Sequence, residues 1–226
     1  GNFVGSNALA AVGSSGSPIF LLIGFSQGIA VGAGVVVSQF LGAKDREGAH
    51  TAVHTSLALS AILGAILTVC GIAASRALLT AMNTPAEVLE DAVLYMRLYF
   101  GGVLFSVVYN MAAGILNAAG NSKRSLLYLG VASITNIVLD LVLIAGCKMG
   151  VAGAAIATVL AQLISTVGCF LYAFSKYPEL RLHRPDFAIT KNDVTQHIVQ
   201  GVPLGLQFSV LSIGIITMQS VIVQFD

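Results

Sequence analysis

Polar and apolar positions alternate in long blocks along this chain rather than at the short periods of strands or surface helices. Six apolar stretches are each long enough to cross a bilayer, which takes about 20 helical residues. The first runs from Ser17-Pro18, a capping residue with Pro at the first helical position, to about Leu41. Along it Gly24, Gly28 and Gly32 recur every fourth residue, a small-residue face for close helix packing. A polar turn over residues 42–48 leads into a second span over about residues 51–74. Thr84-Pro85-Ala86-Glu87 reads as a capping box. The helix it opens meets no strong stop before Gly120, a length of roughly 50 Å. Its first turns, with Glu87, Glu90, Asp91 and Arg97, should therefore lie among headgroups, and the third span should begin near Gly101-Gly102.

Spans four (about 125–146) and five (about 151–175) form a predicted helical hairpin around residues 146–150. Residues 176–193 are polar, contain Pro178 and Pro185, and read as a linker. Thr190 to Asp193 can cap a last helix, which enters the membrane near Gln200 and carries Pro203. Loop charge sets the orientation. Of 11 Lys and Arg, eight fall on one side and only Arg76, Arg97 and Lys148 on the other, which places the first group in the cytoplasm. On that map both Gly1 and Asp226 lie outside, so a further helix is expected ahead of Gly1.

Composition agrees with the block pattern. Hydrophobic residues make up 56%, charged residues 9%, and mean hydropathy is +0.89, against about 25% charge in a soluble domain. The fold class is thus all-α, a polytopic transmembrane bundle. A net charge of +1 without a basic run gives no reason to expect nucleic acid. Cys70, Cys147 and Cys169 lack metal-ligand or redox spacing. His50 and His54 stand one turn apart but have no third ligand nearby in sequence. No Ser/His/Asp or Cys/His arrangement supports nucleophilic catalysis, so no enzyme is expected. Arg97 could pair with Glu90 or snorkel to the surface.

The candidate chemistry sits in the hairpin. Ser133, Asn136 and Asp140 follow at i, i+3 and i+7 and share one helical face. Counted from Met149, Asp140 and Thr158 are equally far from the turn, as are Asn136 and Gln162. In a straight hairpin Asp140 and Thr158 would lie at one depth, about 10 Å inside the apolar layer. A charged Asp at mid-membrane costs about 2.5–3.5 kcal/mol on the mildest scale, so this carboxylate needs a proton or a small cation. Gln27, Gln162, Gln207 and Gln219 are candidates for lining a cavity, although interhelical hydrogen bonds explain them as well.

Several segments resemble the multidrug and toxic compound extrusion (MATE) transporters: NFVGSNALAAVG, GAGVVVSQFLGAKD, NAAGNSKRS, NIVLDLVLI with GVAGAAIAT, and GVPLGLQFS. The resemblance implies two six-helix lobes, of which this chain holds helices two to seven. Residues 1–175 would be an amino-terminal lobe lacking its first helix, 176–193 a cytoplasmic inter-lobe linker, and 194–226 the first helix of the second lobe. It also implies antiport: export of organic, cationic or amphipathic drugs in exchange for Na⁺ or H⁺ across a bacterial inner membrane, with no other cofactor. Asp140, Asn136 and Thr158 fall where the family places a cation-coupling site, completed by an Asp on the missing first helix. Many relatives carry an acid in helix seven, whereas residues 205–220 offer only Gln207 and Gln219. The alternatives are a lipid-linked saccharide flippase of the same superfamily, against which the lack of intramembrane Lys or Arg argues, and a channel or structural membrane subunit.

Overall fold

The computed structural model describes residues 5–177 and 189–223. Among the described residues seven helices follow one another: α1 (Gly5–Gly42), α2 (Arg46–Ala81), α3 (Ala86–Gly101), α4 (Val103–Ala118), α5 (Ser122–Asp140), α6 (Gly150–Lys176) and α7 (Lys191–Val223). Between α5 and α6, residues Leu141–Gly146 form a π-helical turn. Among the described residues five helices are long and apolar enough to span a membrane, and the pair α3–α4, bent by 46°, is so when its two halves are taken together. The linker expected over 176–193 lies largely outside the described residues, although Lys176 closes α6 and Lys191 opens α7.

Helix ends follow local chemistry. Asp45 caps α2 by accepting from the Gly48 N–H at 3.0 Å. The cap expected at α7 forms in both directions: Thr190 N–H donates to Asp193 Oδ2 at 2.8 Å, and Asp193 N–H donates to Thr190 Oγ1 at 3.3 Å. The box expected at α3 does not. Pro85 occupies the cap position with no side-chain bond, and the Thr84 N–H instead closes the preceding turn on Leu79 O at 3.1 Å.

Two spans depart from expectation. Pro18 does not start the first one, because α1 begins at Gly5 and continues through it. In the turn before Pro18 the hydroxyls of Ser14 and Ser15 donate to the carbonyls of Ala10 and Ala11, each at 2.9 Å. The third stretch is not one rod either. At Gly102 the chain bends, and the side chain of Val159 from α6 fills the space a Cβ would take, its own Cβ only 2.8 Å from that position. Proximity to α6 therefore places the break that glycine permits.

α1 is the axis of the bundle, touching α2, α3, α4, α6 and α7. The Gly24–Gly28–Gly32 ridge faces α7 and meets its Phe208, Gly205 and Gly201 in turn. On the other side, Gly34 of α1 and Gly114 of α4 approach backbone to backbone, with an added Cβ on Gly34 lying 3.0 Å from Gly114 O. Two cores result. One gathers Val36, Val37, Val53, Met111 and Leu116 near the α1–α2 turn. The other gathers Leu79, Val93, Met96, Phe100 and Val103 near the α2–α3 turn. α5 contributes little, with Ala132 its one buried residue, and turns Leu126, Ile134 and Ile137 outward.

At the α2–α3 end Glu90 pairs with Arg76 at 2.6 Å, not with Arg97. Both side chains are more than half exposed, so solvent screens the pair. Arg76→Ala should shift unfolding in detergent by no more than about 1 kcal/mol, measured by thermal denaturation of the purified protein.

Candidate functional site

The sequence-predicted residues meet in the α5–α6 hairpin. Asn136 Nδ2 donates to Thr158 Oγ1 at 3.3 Å, and the Thr158 hydroxyl donates in turn to Ala154 O at 3.0 Å. Thr158 therefore spends its single proton on its own helix and offers the oxygen to Asn136. The Asn136 amide is turned nitrogen-first toward α6, which leaves its carbonyl oxygen as an acceptor on the shared face. One turn further along that face is Asp140, half-buried, its Oδ1 enclosed and without a hydrogen-bond partner among the described residues. Asp140 lines a pocket of about 180 Å³ with Ile137, Leu141, Ile144 and Ala145.

The depth expected for these groups needs correction. Asn136 meets Thr158, not Gln162, so the pairing is displaced by one helical turn. Asp140 then sits nearer the level of Ala154 than of Thr158. The cause is the position of the bend. Cys147 N–H donates to Val142 O at 2.8 Å and Met149 N–H to Leu143 O at 3.0 Å. The bend therefore centres on Cys147, directly after the π turn, and not on Met149, and Asn136 and Thr158 lie equally far from Cys147 along the chain. α6 folds tightly back onto that turn at Gly153, where an added Cβ would lie 3.1 Å from Met149 Cβ and 3.3 Å from Ile144 Cγ1.

Of the glutamines, Gln162 lies one turn past Thr158 on α6, with its Oε1 buried and unpartnered among the described residues. Gln27 is exposed on α1 and lines a separate pocket. Gln207 is exposed on α7, and the Gln219 side chain lies outside the described residues. The structure thus brings Asn136 and Thr158 together with Asp140 one turn away, and leaves Gln27 and Gln207 on other helices.

Sequence reading missed several groups. Tyr95 of α3 comes within electrostatic reach of Asp140 and stacks near Tyr99, ring centroids 6.2 Å apart. The pocket containing Gln27 measures about 270 Å³ and is also lined by Tyr109, Asn110, Asn117, Ser122 and Ser125. Tyr109 donates its hydroxyl to Ser125 O at 3.2 Å, fixing the ring at the wall. The signal was present in sequence: Asn110 and Asn117 are two turns apart on one face of an apolar helix. His50 and His54 have ring centroids 6.4 Å apart, and no group of three or more potential metal ligands occurs among the described residues.

Replacing Thr158 with Val leaves the Asn136 amide without its partner. It should destabilise the hairpin by about 1–3 kcal/mol, the usual effect of orphaning a buried donor. Asn136→Leu combined with Thr158→Val should recover part of that loss, as measured by thermal unfolding in detergent.

Comparison with known proteins agrees with this architecture. The MatE family profile matches residues 1–142. The chain is 36% identical to the "Probable multidrug resistance protein YoeA" of Bacillus subtilis over 175 residues, 76% of this chain and 37% of that protein. It is 30% identical to the "Probable multidrug resistance protein YpnP" of the same species, over 98% of this chain and 49% of the relative. The chain thus spans about half or less of the length of these curated relatives. Among solved structures, the inward-facing conformation of a multidrug resistance MATE family transporter of the MOP superfamily superposes with a TM-score of 0.86. That match has 31% identity and covers 92% of this chain and 47% of the other. A bundle of membrane-spanning helices with this order, bend and hairpin, matched by the family profile over more than half its length, belongs to the MATE family of transporters and is not an enzyme.

Proposed function

We propose that this chain forms the amino-terminal lobe, without its first helix, and the first helix of the second lobe of a cation-coupled antiporter in a bacterial plasma membrane. The observation that carries the reading is the enclosed, unpartnered Oδ1 of Asp140, one turn from the Asn136–Thr158 pair within a membrane span. An uncompensated carboxylate there is unfavourable. A proton, or a Na⁺ bound between Asp140 and the free carbonyl of Asn136, removes that penalty. Thr158 acts by holding the Asn136 amide in place. A coupling ion shifts an equilibrium only by its differential affinity for the two states. The π turn directly after Asp140 supplies a backbone element whose hydrogen bonds can exchange between two windings, so ion binding and hairpin packing are linked.

The exported compound would use the pocket lined by Gln27, Asn110 and Asn117. Its amides and hydroxyls offer hydrogen bonds without a fixed charge, which suits organic compounds that are neutral or cationic. Among the described residues no Lys or Arg lines it, which weighs against a pyrophosphate-carrying lipid sugar.

Reconstitution of the full-length transporter into proteoliposomes tests the reading. With an imposed Na⁺ or H⁺ gradient, a fluorescent cationic drug should move against its own gradient. Movement only down the drug gradient, whatever ion gradient is applied, would make the protein a channel and end the antiport proposal.

A further inference from the structure

α7 meets α2 at a buried polar contact centred on His197, which is 4% exposed. Its Nδ1 lies 2.8 Å from the carbonyl oxygen of Asp193, one turn earlier on α7, so this nitrogen carries the hydrogen and donates. Nε2 then presents its lone pair to α2, 2.9 Å from Ser56 Oγ. The neutral ring is thereby satisfied at both nitrogens, once within α7 and once across to α2. Ser56, for its part, has two acceptors within reach of its one proton. Nε2 of His197 is one; the other is Ala52 O, 2.7 Å away on its own helix.

That choice makes the contact reversible at low cost. The Ser56 hydroxyl can swing from the ring to its own backbone and stay hydrogen-bonded, a local fallback open to serine in helices. His197 keeps its bond to Asp193, and a water can take the place of Ser56 at Nε2. We propose that His197 and Ser56 form an inter-lobe latch: their hydrogen bond holds α7 against α2 in one access state of the transporter, and rotation of the hydroxyl onto Ala52 O releases it for the other. The inference rests on the reading of α7 as the first helix of the second lobe; α2 belongs to the first, so the bond crosses between lobes. On the orientation set by loop charge, the latch lies toward the cytoplasmic starts of both helices, and its closure shuts that side. Both residues act by positioning helices.

The surroundings suit a contact that opens. Beside the latch, α2 and α7 leave an almost wholly apolar groove of about 190 Å³ between Leu59 and Ile62 on one side and Ile198 and Val202 on the other. Along α1 the seam to α7 is glycine against glycine, Gly32 on Gly201 and Gly28 on Gly205. Smooth backbone surfaces can part there without unthreading long side chains. Apolar contact is non-directional, so groove and seam tolerate a change of angle between the helices. The His197–Ser56 hydrogen bond needs alignment, and so it tells one arrangement from the other.

Spin labels at Ala61→Cys on α2 and Val199→Cys on α7, both exposed sites, test the latch in the full-length transporter with native cysteines replaced. In lipid nanodiscs, double electron–electron resonance reads the separation of the two helices as populations of short and long distances. Ser56→Ala should raise the ratio of long to short roughly two- to tenfold, the loss of one ordinary hydrogen bond. His197→Leu should act alike, and the double substitution should do no more than either alone, because both remove the same bond. His197→Gln, whose amide oxygen can accept from Ser56 in place of Nε2, should keep the parent distribution. An unchanged distribution in Ser56→Ala, or additive shifts in the double substitution, overturns the proposal. If drug fails to move uphill in the parent while Ser56→Ala still shifts the distances, the antiport reading falls and the latch stands.

Discussion

Asp140→Asn in the full-length transporter should abolish ion-driven efflux while leaving membrane insertion and folding intact. The substitution keeps the shape of the side chain and removes the group that can hold a proton or balance a cation. Hydrogen bonds and contacts to a charged group are worth about 1.5–3 kcal/mol, so affinity for the coupling ion should fall by on the order of 10- to 100-fold. Folding should be spared because Asp140 Oδ1 makes no hydrogen bond among the described residues that the amide would lose. The measurement is drug uptake into inverted vesicles under an imposed gradient, beside thermal unfolding of the same purified variant. Coupled efflux at the parent rate would remove Asp140 from the mechanism. Because Thr158 acts by holding Asn136, Thr158→Val should weaken ion dependence less than Asp140→Asn does.

The second large effect is expected at the seam between α1 and α7. A Cβ added at Gly28 would lie 2.5 Å from the Gly205 Cα and 2.6 Å from its N, both backbone atoms. No rotamer change relieves a collision with backbone, so the helices must separate along the ridge. Gly28→Val should therefore destabilise the protein by at least the about 1–3 kcal/mol typical of overpacking. It should also detach α7 from α1 over the Gly24–Gly32 stretch. Cross-linking between paired cysteines on α1 and α7, with and without the substitution, reads this directly. Gly13→Ala is the control, since nothing lies within 4 Å of the added carbon. Equal cross-linking yield in Gly28→Val and the parent would show that the close approach does not hold the seam. The two predictions separate coupling from assembly, because one residue lies in the hairpin and the other on the central helix.

Much of this molecule is written in local sequence. Long apolar blocks broken by polar turns specify membrane-spanning helices, because every backbone polar group in hydrocarbon must be satisfied within its own segment. The glycines at four-residue spacing fix one face of α1 for close contact, and the Thr190–Asp193 pair fixes the start of α7. Asp140, Asn136 and Thr158 stand out because polar groups in such blocks are unfavourable unless they have partners. Which helix the ridge would meet, where the third stretch would bend, and which residue Asn136 would face were not legible there. The bend at Gly102 appears only where Val159 of α6 occupies the space a side chain would need. The meeting of Asn136 with Thr158 depends on the chain bending at Cys147, directly after the π turn, which residue type alone does not mark. His197 reads in sequence as one more polar residue near a helix start, and only the approach of α2 brings Ser56 and Ala52 to its ring. Sequence alone determined the apolar stretches, the cap of α7 and the candidate carboxylate, since these follow from the solvation of each segment. The tertiary structure decided register, bend and seam, since these follow from which backbones can approach one another.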